Sequence, residues 1–289
     1  MKRFVSRILA LVLALSLPVA AATAEELPVS GQYGALGRLT KLNITEDTLN
    51  ELLKERMAGD VFSGIVFYDS LNSMLLALNN GDIAIIEIDR NTADYIVSRN
   101  DNFVVREPYN PANPIVFSML LREEDGELRD RISAVIREME ADGSLASLKK
   151  AFIEDVIAGA DPEAVVPKAF DGAKTLRVAV TGDRPPMDYI SAGGVPKGYN
   201  TALVAEAAAR MGMNVEFVSV DTAARGILLA AGGADVIFWR EEEEHDIWES
   251  ARGEDMPAHT IATEYYLKSP VVYVVLSSSP LAEVLKPVE

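Results

Sequence analysis

Residues 65–106 constrain the fold most strongly, because short apolar runs alternate there with stretches of helical periodicity. Ile83 to Ile88 is almost continuously apolar, which is typical of a strand buried on both faces of a parallel sheet. Ile65 to Tyr68 and Phe103 to Arg106 predict two further strands, and the stretches between the strands predict helices. Strand, helix, strand, helix, strand in this order indicates a small α/β unit.

The predicted helices have recognisable ends. Leu71 to Leu78 places its apolar residues on one face, Ser70 can cap its start, and Gly81 can end it. A second helix is predicted over Thr92 to Arg99. An earlier helix is predicted from Thr45 to about residue 56, because Thr45 is a good N-cap followed by acidic residues that favour a helix N-terminus.

A proline-rich segment separates this unit from the rest of the chain. Pro108 to Pro114 holds three prolines in seven residues and predicts a crossing segment that could act as a hinge. After it we expect a strand over Ile115 to Leu121 and a long amphipathic helix that ends near Gly143. Gly159 to Lys174 contains prolines and several charges and resembles a linker.

The remaining residues again alternate strands and helices. The sequence predicts strands over residues 176–180, 215–218, 235–239 and 271–276, with helices over 201–211 and 223–231. Arg240 to Ala258 is weakly patterned, and we expect it to form a surface loop. No repeat of 20 to 50 residues is present, so a solenoid is excluded.

The first 24 residues are predicted to be a secretory signal. A basic start precedes the apolar run from Ile8 to Leu17, which is too short for a membrane span of about 20 residues. Ala22-Thr23-Ala24 supplies small residues for cleavage before Glu25. The signal leads us to expect a periplasmic or secreted protein. Because the chain has no Cys, we expect neither a lipid anchor nor disulfides.

The charge balance excludes some partners. The formal net charge is -17, and it becomes -20 when the three cations of the leader are removed. Such an acidic surface repels nucleic-acid phosphates and anionic lipids, so we expect no nucleic-acid partner. The overall charge does not constrain a small ligand, because a site can be locally positive on an acidic protein.

Two stretches of the chain resemble the extracytoplasmic solute-binding proteins of amino-acid ABC importers (family 3). Residues 66–153 carry Tyr68-Asp69-Ser70-Leu71, then Gly81-Asp82-Ile83 leading to Asp89, and later Ala141-Asp142-Gly143-Ser144-Leu145. Residues 176–235 carry Arg177 to Asp183, Pro185-Pro186-Met187-Asp188-Tyr189 and Gly198-Tyr199-Asn200. The resemblance implies a two-lobed α/β fold of the periplasmic-binding-protein type (type II).

The two stretches stand in exchanged order relative to that family, which implies a circularly permuted chain. Residues 27–110 would form lobe two, and residues 111–276 would form lobe one, with the linker 159–174 joining the former ends. The tail 277–289 would return toward lobe two. Permutation suits a fold whose termini are close together at the surface. Two truncated halves that pair with another subunit, as in a swapped dimer, remain an alternative to the expected monomer.

The resemblance also implies ligand-binding residues in lobe two. Asp89 matches the position whose carboxylate holds the ligand ammonium, and it follows a strand of the parallel sheet, where ligands bind. An alternative is that Asp89 caps the helix that begins near Thr92, and both roles can coexist. Thr45, at a helix N-terminus, could donate to a ligand carboxylate.

In lobe one, Asp183, Met187 and Tyr189 occupy the positions of the family's ligand wall. Met187 replaces a usual aromatic and could instead be a core residue. The carboxylate-gripping Arg normally follows a Gly and a Thr, which are missing here, so Arg240 is the remaining candidate. Trp239 could offer a stacking surface.

Catalytic and metal sites have little support in the sequence. Glu241 to Asp246 is rich in acids, yet such runs are usually solvated, and adjacent residues rarely converge on one ion. With only His245 and His259 available, a catalytic dyad is poorly supported, and we expect no cofactor.

The sequence therefore predicts a receptor that is not an enzyme. It would capture a small polar, amino-acid-like ligand by hinge closure and deliver it to an ABC permease in the membrane. Two alternatives remain open. One is an enzyme on the same fold (dehydratase-like), with Asp89, Asp183 and Glu264 as acid–base candidates. The other is a degenerate receptor that signals to a membrane partner.

Overall fold

The computed structural model describes residues 33–42, 47, 62–109, 114–243 and 256–288, which form two α/β lobes. Lobe two contains a five-stranded sheet in the order β2-β1-β3-β14-β4. β1, β2 and β3 run parallel, whereas β14 is antiparallel to both of its neighbours, β3 and β4. Its strands are β1 Ala35–Leu39, β2 Gly64–Tyr68, β3 Ile85–Asp89, β4 Phe103–Arg106 and β14 Val271–Leu276.

Two helices pack on this sheet, and their ends follow the local sequence signals. α1 spans Leu71–Asn80, where the Ser70 hydroxyl accepts a hydrogen bond from the Ser73 amide and Gly81 ends the helix at φ 78°. α2 spans Arg90–Arg99 with Asp89 as its N-cap. The apolar face predicted for α1 is buried against the sheet, so the predicted period and caps are confirmed here.

Lobe one is built on a six-stranded sheet in the order β10-β6-β11-β5-β12, with β13 also paired to β5. β6 pairs parallel with β10 and β11, whereas β5 is antiparallel to each of its neighbours. Its strands are β5 Ile115–Arg122, β6 Thr175–Val180, β10 Asn214–Ser219, β11 Val236–Glu243, β12 Thr260–Ala262 and β13 Leu267–Ser269. A small antiparallel sheet of β7 Asp183–Arg184, β8 Asp188–Ile190 and β9 Pro196–Lys197 follows β6.

The helices of lobe one enclose one large apolar core. Its helices are α3 Gly126–Ala141, α4 Ser144–Lys149, α5 Asp155–Ile157, α6 Tyr199–Met211 and α7 Arg225–Ala230, with 3₁₀ turns at Glu123–Asp125 and Thr222–Ala224 and a π-helical turn at Lys150–Glu154. α3 buries Ile132, Ile136 and Met139, the apolar face expected from the sequence. Residues 161–170 contain neither helix nor strand, in keeping with the predicted linker.

Two sequence expectations are wrong. The strand Val271–Leu276 was expected to finish lobe one, but it lies between β3 and β4 in lobe two. β11 continues through Glu243, whereas a surface loop was expected from residue 240. In both cases the pairing partner is distant in sequence, so local pattern could not identify it.

The chain after β14 packs on lobe two. A short helix, α8 Leu281–Val284, is held by Arg106, whose Nε and Nη2 donate to the Ala282 carbonyl at 2.8 and 2.6 Å. The backbone of Arg106 also forms an isolated antiparallel β-bridge with Pro287. The expected return of the tail to lobe two agrees with these contacts.

Several predictions lie outside the described residues. They are the secretory signal 1–24, the helix from Thr45 and the central part of the proline-rich hinge. Among the helices that are described, none has the length and apolar character needed to cross a membrane.

Candidate functional site

Asp89 lies at the carboxyl end of β3 and is fully buried. Its Oδ1 accepts from the Thr92 amide at 3.1 Å, and its Oδ2 accepts from the Thr92 hydroxyl at 2.7 Å. Oδ2 also accepts from Nη2 of Arg184 at 2.9 Å, and Arg184 belongs to lobe one. Asp89 therefore caps α2 and at the same time joins the two lobes.

Arg184 is the central residue of the interface between the lobes. It lies in β7, directly before Pro185-Pro186, and its side chain is 6% exposed. Its Nη1 donates to Oε1 of Glu241 at 2.5 Å while Nη2 reaches Asp89. One guanidinium thus bridges a carboxylate from each lobe, a geometry that the planar fork of arginine favours.

Glu241 completes a chain of alternating charges. Its Oε2 accepts from Nζ of Lys41, which follows β1 of lobe two, at 2.9 Å. Burial alone would raise the pKa of Glu241, but the positive charges of Lys41 and Arg184 outweigh burial and hold this pKa well below its usual value. Glu241 is therefore ionised at neutral pH, and the order Lys41, Glu241, Arg184, Asp89 alternates in sign across the two lobes.

The Trp239 ring stacks against the Arg184 guanidinium. The Arg184 Cζ lies 4.1 Å from the Trp239 ring centroid and 5.7 Å from that of Phe117, both within the range of cation–π attraction. Trp239 adopts φ 72°, and the β11–β5 register shifts between Ile237 and Arg240. A bulge of this kind re-aims side chains, and residues with φ above zero cluster at functional sites.

Little empty space remains around Arg184. A cavity of about 50 Å³ is lined by Arg184 and Glu241 together with Arg38, Lys41 and Glu87. A second cavity of about 20 Å³ is lined by Arg184, Trp239 and Arg225 among others. These volumes hold one or a few water molecules rather than an amino acid.

The other residues of the predicted ligand wall lie elsewhere. Met187 is fully buried in the core of lobe one, so the core-packing alternative describes it in this structure. Asp183 pairs with Tyr189 in the small sheet, and the Tyr189 ring lies 5.9 Å from Nζ of Lys197. Thr45 lies outside the described residues.

Arg240 lies away from Arg184. It is the strand neighbour of Glu241 and therefore faces the opposite side of the sheet, where Nη1 lies 3.4 Å from the Ser118 hydroxyl. There it lines a separate open cavity of about 520 Å³ with Arg129, Arg137 and Glu264. Strand alternation thus aims Glu241 toward Arg184 and Arg240 away from it. The third acid–base candidate of the enzyme alternative, Glu264, shares this separate cavity and pairs with Arg137.

Sequence reasoning missed Arg184, Glu241 and Lys41. The available signal for Arg184 was a single cation in the loop after β6, between two residues that were named as ligand wall. Glu241 was treated as part of a solvated acidic run, although its side chain is only 14% exposed. Within the described ranges, no group of His, Cys, Asp and Glu is placed to hold a metal ion.

Asp188 supports the loop that carries Arg184. It is fully buried and accepts from the Thr181 amide at 2.9 Å, the Thr181 hydroxyl at 3.2 Å and the Gly182 amide at 3.2 Å. Burial raises its pKa from 3.8 to about 6, although these hydrogen bonds oppose the rise. The Asp188 carboxyl therefore keeps its proton to a higher pH in the folded protein than in the unfolded chain.

We expect Asp188 to reduce stability as the pH rises between 3.8 and about 6. The folded chain keeps the proton over a wider range than the unfolded chain, so its advantage is complete below 3.8 and is lost through this window. At about 1.4 kcal/mol per pKa unit the change is about 3 kcal/mol. Urea unfolding across this window would show the protein losing about 3 kcal/mol of stability relative to Asp188→Asn as the pH rises.

Glu241→Gln is a control, because the stability contributed by Glu241 should change with pH in the opposite direction to that of Asp188. Because the folded pKa of Glu241 lies below its usual value of 4.5, its contribution is present above 4.5 and is lost as the pH falls further. Parallel stability curves for the protein and Asp188→Asn would contradict the role given to Asp188.

The described residues thus form two α/β lobes with a charged interface between them. Residues 176–242 match the sequence model of bacterial extracellular solute-binding proteins, family 3. The match covers β6 to β11 and includes Arg184, Trp239 and Glu241. The resemblance inferred from the sequence is therefore confirmed over this segment. A comparison with curated proteins finds no match.

A comparison with solved structures finds similarity to a zinc-bound ligand-binding component of an ABC-type import system from Staphylococcus aureus. It is 9% identical with a TM-score of 0.43, over 87% of this chain and 68% of that one. AgaA from A. tumefaciens R10, solved with agropinic acid, is 12% identical with a TM-score of 0.38, over 73% of this chain and 54% of its own. The chain thus spans about half the length of AgaA.

A regulatory domain shows a similar degree of likeness. The reduced OxyR regulatory domain from Pseudomonas aeruginosa is 8% identical with a TM-score of 0.40, over 88% of this chain and 92% of that one. None of these likenesses identifies a ligand for this chain.

Proposed function

We propose that the protein is an extracytoplasmic solute-binding receptor that captures a small polar, amino-acid-like solute between its lobes and delivers it to an ABC importer. The observation that carries the proposal is the convergence of Asp89, Glu241 and Trp239 at one buried point between the lobes. Such a set recognises a cationic group through charge and through the aromatic face. The family match over residues 176–242 supports the same function.

The interface is suited to opening and closing. Beyond the charged chain, Arg225 Nη2 donates to the Thr40 carbonyl at 3.2 Å, and Arg99 Nη2 donates to the Val156 carbonyl at 2.7 Å. These contacts are polar, as is typical of interfaces that permit relative motion of domains. Lobe closure around a solute is a common use of such an arrangement.

The exchanged order of the halves is part of the proposal. β1 to β4 build lobe two before β5 enters lobe one, and residues 158–174 then join α5 to β6. Each large sheet also receives an antiparallel strand, β5 or β14, directly after the chain leaves the other lobe. This order supports a permuted chain in which the linker connects ends that are separate in the unpermuted arrangement.

A solute at a hundredfold excess over its dissociation constant should stabilise the protein by about 2.7 kcal/mol. For a chain of this size we expect the melting temperature to rise by about 2 to 4 °C per kcal/mol. A thermal-shift screen of the chain from Glu25 against amino acids, short peptides and polyamines would measure this rise. Arg137→Ala, which alters only the separate cavity, should show the same shift.

A degenerate receptor that signals without transport is the second candidate. It is favoured by Arg184, which fills the point between the lobes and leaves cavities of only about 50 and 20 Å³. If a correctly folded protein shows no shift with any solute in the screen, the transport proposal is overturned in favour of this candidate.

A further inference from the structure

We infer that Arg184 is a tethered occupant of a guanidinium site, and that the solute is a cation with a guanidinium or primary ammonium head that exchanges with it. This inference rests on the proposed receptor function and names the class of its solute. Arg184 then competes with the solute for the carboxylates of Asp89 and Glu241.

The surroundings of Arg184 are complementary to a planar cation on three sides. Asp89 and Glu241 meet the two Nη atoms at 2.9 and 2.5 Å, and the guanidinium plane is covered by Trp239. The Asp89 and Glu241 side chains are 0% and 14% exposed, so the site is desolvated. Charge-assisted hydrogen bonds and cation–π contacts are both strengthened in such surroundings.

The two carboxylates that pair with Arg184 favour a cation in its place when it leaves. Lys41 and Arg184 offset Glu241 and Asp89, while Arg38 at the edge of the cavity pairs with Glu87. Without Arg184, Asp89 loses the cation that pairs with it, and a buried carboxylate without such a partner is strongly unfavourable. A neutral or anionic solute does not restore the balance, whereas a guanidinium or ammonium group does.

Arg184 is held tightly but incompletely. Its Nε is buried and has no hydrogen-bond partner in the part of the chain that the structure describes. The same holds for Nε1 of Trp239. When Arg184 leaves, its unsatisfied Nε leaves the site with it, and a solute whose head carries an acceptor can pair with Nε1 of Trp239, so the exchange need not lose hydrogen bonds.

The decisive experiment is chemical rescue of Arg184→Ala in the chain from Glu25. The variant should melt at a lower temperature than the unmodified protein. Guanidinium chloride or ethylguanidinium chloride at low millimolar concentration should restore the melting temperature in a saturable manner, against sodium chloride at equal ionic strength. The unmodified protein and Arg129→Ala, which alters the separate cavity, should show no saturable response.

The rescue experiment can still be carried out if Arg184→Ala does not fold during purification. If Arg184→Ala is unfolded after purification, refolding from urea with dilute guanidinium or with sodium chloride is compared by near-ultraviolet circular dichroism. Recovery with guanidinium alone supports the inference. Equal behaviour in the two salts, for either the folded or the refolded variant, overturns it.

Solute titration separates this inference from the receptor proposal. Removal of the tethered competitor should tighten binding of arginine, lysine or a polyamine at least about tenfold, because the open site is then fully populated. Guanidinium rescue without binding of any solute would retain the site and overturn the receptor function. Unchanged solute affinity in Arg184→Ala without rescue would retain the receptor and overturn the inference.

Discussion

Replacing Asp89 with alanine is expected to lower the free energy of unfolding by about 4 kcal/mol. Removal of one partner from a buried ion pair costs about 3 to 5 kcal/mol, because the other charge is left buried without compensation. Arg184 is that remaining charge, at 2.9 Å from the lost carboxylate. The same substitution removes the cap of α2, which by itself is worth about 1 kcal/mol. Urea unfolding of the chain from Glu25 measures the total.

Asp94→Ala is the matched control for this variant. Asp94 lies on the same helix and pairs with Arg90 through a half-exposed ion pair, for which a loss below about 1 kcal/mol is expected. A second comparison isolates the pair itself. Adding Arg184→Met to Asp89→Ala should cost less than the two single changes together, by about 1 kcal/mol or more. A loss from Asp89→Ala no larger than that from Asp94→Ala would contradict the structural role of the pair.

Gly198→Ala is expected to destabilise the protein by about 3 kcal/mol and to disturb the loop that carries Arg184. A Cβ at this position would lie 2.4 Å from the Met187 carbonyl oxygen and 2.8 Å from that of Pro186, at φ +120°. Both contacts are with backbone, so no side chain can move aside, and positive φ adds strain of about 1 to 3 kcal/mol. The amides of Tyr199 and Asn200 bond to these same two carbonyls. Denaturant unfolding reports the loss.

Gly194→Ala separates strain from overlap. Gly194 also has a positive φ, +78°, but a Cβ there meets nothing within 4 Å. The free energy of unfolding is therefore expected to fall by about 1 kcal/mol, the usual cost of placing a non-glycine residue in the left-handed region. If the two variants lose equal stability, steric overlap between a Cβ at residue 198 and the Met187 carbonyl does not add to the cost of the positive φ.

The sequence predicts best where one residue and its immediate neighbours determine the structure. Ser70 and Gly81 bound α1 because a hydroxyl cap and a left-handed glycine act within one helical turn. Asp89 belongs partly to this group, since its role as a cap was inferred from Thr92 three residues later. The α/β class follows from the same local alternation of periods.

The centre of the candidate site depends on contacts that no local pattern encodes. Arg184 meets Asp89 across 95 residues and Glu241 across 57. Glu241 reaches Arg184 because β11 pairs with β5 and aims this side chain inward. The bulge at Trp239 sets that aim, and a run of identical glutamates contains no alternation from which it could be inferred. Asp89 was therefore named, while the cation that it binds was not.

The position of β14 has a consequence for the order in which the protein matures. β14 lies between β3 and β4, so the sheet of lobe two lacks its inner neighbour until residues 271–276 have been made. Lobe one already contains all of its strands when synthesis reaches Ser269, although its first strand is made after β4. The lobe that is synthesised first is therefore completed last. Until then, β3 and β4 have open edges that require protection from pairing with other chains.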